Sequence, residues 1–160
     1  MTTTEINSIT ILILFMLYFL IKLKYFLKKR TLLSRNRTLK KLKRLSWDNF
    51  EKLTMELFVM QGWKVQGNTK KGADGGVDIW MQKTSFGYKN ISAIVQCKRY
   101  EDSLVTIKVI REMYGLMYEY EVDEVYIVTT SRFTKECYNF IKGKKMVLID
   151  GETLVRMINR

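Results

Sequence analysis

The chain has 160 residues, with 28 Lys and Arg against 16 Asp and Glu, a formal net charge of +12. It contains no histidine, no proline and only two cysteines, Cys97 and Cys137. These counts exclude Ser-His-Asp and Cys-His nucleophiles, histidine metal sites, zinc clusters and disulfide-dense secreted folds, while the length suits about one domain with a real core.

The charge is concentrated. From Lys22 to Arg44 there are 11 basic residues and no acid, whereas beyond Leu45 there are 17 basic and 15 acidic residues. The high isoelectric point therefore belongs to one short segment and not to a uniformly basic nucleic-acid binder. Residues 6–21, INSITILILFMLYFLI, form an uncharged run of 16. Leu23 and Tyr25-Phe26-Leu27 extend it, and Lys22 and Lys24 can snorkel. A spanning helix needs roughly 20 residues, and the run predicts a transmembrane helix over 9–27. A signal peptide is the rival reading, but no basic residue precedes the run. The positive-inside rule then makes 1–8 a short extracytoplasmic N-terminus and 28–45 a basic juxtamembrane tether. The expected location is the cell membrane, single-pass, with the rest of the chain facing the cytoplasm. The tether lysines set topology and touch anionic lipid; the rival reading is a DNA-binding arm.

The remaining domain spans 46–160. Ser46 can cap a helix to about Gln61, with Phe50, Leu53, Leu57 and Phe58 at helical spacing and Gly62 as a stop. Glu51 and Glu56 lie in this helix, where carboxylates are more often solvated than catalytic. A short strand follows at Trp63 to Gln66, then a loop, GNTKKGADGG. Two strands, Val77 to Lys83 and Ile91 to Tyr100, are joined by a turn around SFGYKN. A helix is predicted from Thr106 to Tyr120 and a buried strand from Val125 to Thr129. A helix from Thr134 to Lys142, a strand from Met146 to Ile149 and a C-terminal helix capped by Thr153 complete the order. The order α-β-β-β-α-β-α-β-α predicts an α/β domain with a mixed sheet.

Two segments can carry chemistry. GADGGVDIW, Gly72 to Trp80, is neither a Walker loop nor a dinucleotide fingerprint. It does place Asp78 inside a strand, where a carboxylate is costly unless paired or metal-bound. In AIVQCKRY, Ala93 to Tyr100, alternation puts Gln96 and Lys98 on one face and Val95 and Cys97 on the other. Cys97 reads as a small buried residue. Lys98 can be a solvated edge residue. If the Asp78 and Lys98 strands are neighbours, a carboxylate, an amide oxygen and an ammonium converge instead. Such a set can hold Mg²⁺ and hydrolyse a phosphodiester without histidine.

The order FEKLTMELF, Gly62-Trp63 with Val65, GADGGVDI, QCKRY, REMYG, IVTTSRFTKEC and LIDGETL resembles the catalytic domain of Mrr-type, type IV-like restriction endonucleases, a branch of the PD-(D/E)xK nuclease superfamily. The resemblance covers nearly all of 46–160, and GADGGVDI followed by QCKRY is its specific part. It implies a restriction-endonuclease-like mixed sheet (α-β-β-β-α-β) flanked by helices, with Mg²⁺-dependent cleavage of DNA. It implies that Asp78 is the metal-binding aspartate and that Gln96 stands where the wider superfamily has an acid. Lys98 matches the catalytic lysine and Glu51 the first-helix glutamate. The Cys97 carbonyl would be a further ligand. Asp74 more simply shapes the loop.

Enzymes of this type resemble a catalytic domain joined to a separate DNA-reading domain, which is not expected within these 160 residues. Weak or absent sequence specificity is the expectation, since base readout needs an element in a groove. The expected function is a membrane-anchored endonuclease restricting foreign or modified DNA. Its partners would be DNA, membrane lipid, and a second copy or a separate specificity protein. The alternatives are a catalytically silent DNA- or protein-binding module tethered to the membrane, and a nuclease for branched DNA or RNA.

Overall fold

The computed structural model describes residues 3–29, 31–68, 76–84 and 90–160. Most of the loop expected at 67–76, including Asp74, and most of the SFGYKN turn lie outside the described residues. The chain divides into two units, Met1–Thr31 and Leu32–Arg160.

The first unit carries one helix, α1 (Thr3–Lys29), whose side chains from Ile11 to Lys24 are exposed. Among the described residues, no helix is long and apolar enough to cross a membrane. This corrects the transmembrane helix expected over 9–27. With it go the single-pass placement in the cell membrane, the cytoplasm-facing orientation and lipid as a partner. The physical reason is length. The uncharged run of 16 residues rises about 24 Å as a helix, short of a hydrocarbon core of about 30 Å. Charge returns at Lys22 and Lys24.

Two short helices follow, α2 (Thr31–Arg35), whose first residue still belongs to the first unit, and α3 (Leu39–Lys43). Basic as this stretch is, Leu33 and Leu42 are buried in the core beside Phe50 and Leu154. Helix α4 (Trp47–Met60) follows, its first turn capped by the Ser46 hydroxyl, which accepts from the Asn49 N–H at 3.3 Å. Its Phe50, Leu53, Leu57 and Phe58 face the core, and Gly62 ends it at φ +86°, where only glycine is unstrained.

Five strands then form one sheet: β1 (Lys64–Gly67), β2 (Ile79–Lys83), β3 (Ile91–Lys98), β4 (Glu124–Thr129) and β5 (Met146–Ile149). Their spatial order is β1-β2-β3-β4-β5. The β1/β2 and β2/β3 pairs are antiparallel, whereas β3/β4 and β4/β5 are parallel. The parallel pairs are bridged by α5 (Ile107–Glu119) and α6 (Lys135–Phe140), and α7 (Gly151–Ile158) closes the chain. This is the mixed sheet and element order that the sequence predicts for the domain.

Helices cover both faces. Ala93, Val95 and Cys97 of β3 pack with Phe50, Leu53 and Leu57 of α4 and Leu154 of α7. Ile94 packs with Ile110 and Met113 of α5 and Cys137 of α6. β3 is thus buried on both sides, as a central strand should be.

Two local expectations need correction. The cap of α7 is Asp150 and not Thr153: the Asp150 carboxylate accepts from the Thr153 N–H at 2.8 Å, so Thr153 supplies the orphan donor. Asp78 stands one residue before β2 and not inside it. The ladder still continues through its backbone, since the Asp78 N–H donates to the Val95 carbonyl at 3.0 Å and its carbonyl accepts from the Asn68 N–H at 2.9 Å.

Candidate active site

The antiparallel register pairs Ile79 with Val95, and its next step carries Asp78 to Gln96. Two donors from β3 converge on one carboxylate oxygen. Gln96 Nε2 donates to Asp78 Oδ2 at 2.5 Å, and the Cys97 main-chain N–H donates to the same oxygen at 2.6 Å. Gln96 is only 3 % exposed. The structure therefore brings together the carboxylate and the amide predicted from the two segments.

Burial pushes the Asp78 carboxyl up from 3.8 to about 6. The Cys97 N–H pulls against that rise, Glu51 adds to it and Lys98 opposes it. Both remaining predicted residues thus lie within electrostatic reach of Asp78. Glu51 arrives from α4 and Lys98 from the C-terminal end of β3. The Cys97 thiol is fully buried and pushed well above its ordinary value, chiefly by that burial. Its side chain is core packing; its backbone is what serves the site.

The backbone at the end of β3 is tied down from β4. Thr129 Oγ1 donates to the Lys98 carbonyl at 2.7 Å, and Thr130 Oγ1 donates to the Tyr100 carbonyl at 2.6 Å. Both threonines are fully buried. On the other side, Arg99 Nη1 donates to the Lys43 carbonyl at 2.9 Å, which fastens α3 to the same strand end. Lys43 also pairs with the exposed Asp102 at 3.2 Å, a contact worth little by itself.

Two residues near this centre escaped the sequence reading. Trp47 is the first residue of α4, one turn before Glu51, and lies on the same helical face. Lys98 Nζ sits 5.8 Å from its ring centroid, within cation–π reach. The i, i+4 spacing of Trp47 and Glu51 was the available signal. The second residue is Glu112, on α5. Gly76 has φ +86°, and a Cβ there would stand 3.0 Å from Gln96 Oε1 and 3.2 Å from Glu112 Oε1. A Cβ would press on both oxygens, and the left-handed φ favours glycine here in any case. The REMYG segment that contains Glu112 was the signal, but an exposed helical glutamate reads as solvated until the fold is known.

The donor chemistry suits a hard cation, which takes oxygen ligands: the Asp78 carboxylate and the Cys97 carbonyl both lie against the Gln96 amide at the β2–β3 junction. Two features set limits. Gln96 turns its NH₂ toward Asp78 and its oxygen toward Gly76. Among the described residues, no group of three or more His, Cys, Asp and Glu could hold a metal ion. An Mg²⁺ site here would rest on the Asp78 carboxylate and neutral oxygens, with the Glu51 carboxylate within electrostatic reach.

Residues 42–158 match a family model described as a restriction endonuclease, Mrr catalytic domain. No curated protein matches the chain by sequence. Among solved structures, the chain is similar to the DNA modification-dependent restriction endonuclease AspBHI, with a TM-score of 0.60 and 16 % identity over 81 % of this chain and 34 % of that one. It is also similar to AF1548, a protein of unknown function, with a TM-score of 0.52 and 13 % identity over 64 % of this chain and 61 % of that one. At these identities the likeness is one of fold. The chain spans about a third of the length of AspBHI.

Proposed function

Because the chain belongs to the Mrr-type restriction endonuclease family, we propose that it is a divalent-metal-dependent nuclease that hydrolyses phosphodiester bonds in DNA, acting in restriction of foreign or modified DNA. The hydrolytic centre is assigned to residues Glu51, Asp78, Gln96 and Lys98 of the 46–160 domain. The observation that carries this reading is the junction itself: a partly buried aspartate held by Gln96 and the Cys97 N–H, with Lys98 two residues on.

Asp78, the Gln96 amide oxygen and the Cys97 carbonyl would hold Mg²⁺. When bound, the ion supplies Lewis-acid stabilisation of the phosphate and makes a water more acidic. The chain's own residues do the remaining tasks. The Cys97 N–H fixes the Asp78 carboxylate against β3. The Lys98 ammonium faces the negative charge that grows on the phosphate and can hold the attacking water. Glu51 supplies a second negative charge, which Gln96 lacks, and Trp47 limits where the Lys98 ammonium can go. Thr129 keeps the backbone under Lys98 in place.

The test is plasmid cleavage by the full chain. Cleavage should require Mg²⁺, stop with EDTA, and fall by at least a hundredfold in Lys98→Ala, the scale for losing one charge-stabilising donor. A second reading is a silent module that binds DNA without cutting it. It is favoured by the small acidic set: among the described residues, no group of three or more His, Cys, Asp and Glu could hold a metal ion. Retained DNA binding with no cleavage of methylated, unmethylated or branched DNA would decide for it.

A further inference from the structure

We propose that Glu112 is a positioning residue that turns the Gln96 amide into its cation-binding orientation. The inference rests on the metal-dependent reading above and deepens it. Gln96 now spends its NH₂ on Asp78 Oδ2, at 2.5 Å, and on the Cys97 carbonyl, at 3.4 Å. A donor group facing the carboxylate occupies the place where a cation would sit. The Gln96 oxygen points the other way, to the point above Gly76 that Glu112 Oε1 also approaches. Two acceptor oxygens therefore face one small space.

Rotation of the amide by half a turn exchanges its oxygen and its NH₂ without moving any other atom. The oxygen then joins the Asp78 carboxylate as a neutral ligand. The NH₂ turns to the Gly76 side, where the Glu112 carboxylate accepts from it. One geometry satisfies Asp78 without a cation; the other satisfies Glu112 with one. Glu112 thus favours the ligating form, as partners behind a metal ligand generally do. The absent side chain of Gly76 leaves the space for this exchange. Gln96 is almost fully buried, so water gives its NH₂ little alternative on that side.

Glu112 is itself exposed on α5, so its replacement leaves the core untouched. The experiment is calorimetric titration of Mg²⁺ into the full chain, without DNA. Glu112→Ala should weaken Mg²⁺ binding about tenfold, the lower range for a residue that orients a ligand, and Glu112→Asp should restore part of it. In a Gln96→Ala background, Glu112→Ala should cost nothing further. Gln96→Glu carries two equivalent oxygens and needs no orienting partner, so there removal of Glu112 should no longer cost about tenfold. Wild-type affinity in Glu112→Ala, or an equal loss with and without Gln96, overturns the role of Glu112 alone. Mg²⁺ binding that is absent, or indifferent to Asp78→Asn, overturns the metal-dependent reading and this inference together.

Discussion

The two ends of β3 hold an aspartate in the same way and to different purpose. At the N-terminal end, Asp123 Oδ2 accepts from the Ser92 N–H at 2.9 Å and from the Ser92 hydroxyl at 3.0 Å. Its own N–H donates back to the Ser92 carbonyl at 3.0 Å. The result is a staple that joins the start of β3 to the start of β4. At the C-terminal end, Asp78 Oδ2 also accepts one main-chain and one side-chain donor. Here the side-chain donor is a rotatable amide. The carboxylate is sunk far enough to be pushed to about 6, and Glu51 and Lys98 bear on it. A carboxylate held by two donors is therefore not by itself a sign of chemistry. What separates Asp78 is its burial cost and the company of a cation and a second anion.

Activity should separate the two aspartates most strongly. Asp78→Ala and Lys98→Ala should each lower cleavage by at least about a hundredfold while the domain stays folded. Asp123→Ala should leave the rate per folded molecule unchanged. Plasmid nicking with circular dichroism on the same samples checks this.

Gly76→Ala comes next. The backbone at φ +86° and the contacts at 3.0 and 3.2 Å should cost about 1–3 kcal/mol of stability, read by urea denaturation, and displace Gln96.

Stability sharpens the contrast. Asp78→Asn removes a carboxylate that is costly to ionise and should raise stability by about 1–3 kcal/mol at neutral pH. Asp123→Asn weakens an ordinary charge-assisted pair and should lower it by about 1 kcal/mol.

The pH dependence follows from the same shift. The native Asp78 carboxyl, at about 6, holds its proton more tightly than the value of 3.8 from which burial raises it. Its contribution is therefore fully present below pH about 4, is lost as pH rises to about 6, and is flat above. The difference in unfolding free energy between wild type and Asp78→Asn should open over that window. Bound Mg²⁺ should close it again, since a neighbouring cation favours the charged carboxylate.

The smallest effect is that of Trp47. Trp47→Ala should lower kcat severalfold and Trp47→Phe should restore most of it, in keeping with a cation–π contact worth about 0.5–1 kcal/mol.

Much of this was legible in the sequence because it depends on local rules. The two-residue period of AIVQCKRY separates Gln96 from Cys97, and the antiparallel β2–β3 pair then sets Gln96 against Asp78. The helix and strand order followed from periodicity and stops such as Gly62. Long-range contacts were hidden. Glu112 lies on a different helix, and nothing in its spacing announces Gln96. Leu33 and Leu42 are masked by the charges around them, yet they pack into the core. The apolar run near the N-terminus misled for a different reason: composition marks a hydrophobic helix, but length decides whether it can span.

The most direct measurement takes one variant, Asp78→Asn, and reads stability and cleavage on the same preparation at neutral pH with Mg²⁺ and without it. The expected result is a more stable metal-free protein, no gain in stability from Mg²⁺, and cleavage lost. A less stable variant that still cuts DNA at the wild-type rate would contradict it, and would place Asp78 with Asp123 as a structural staple.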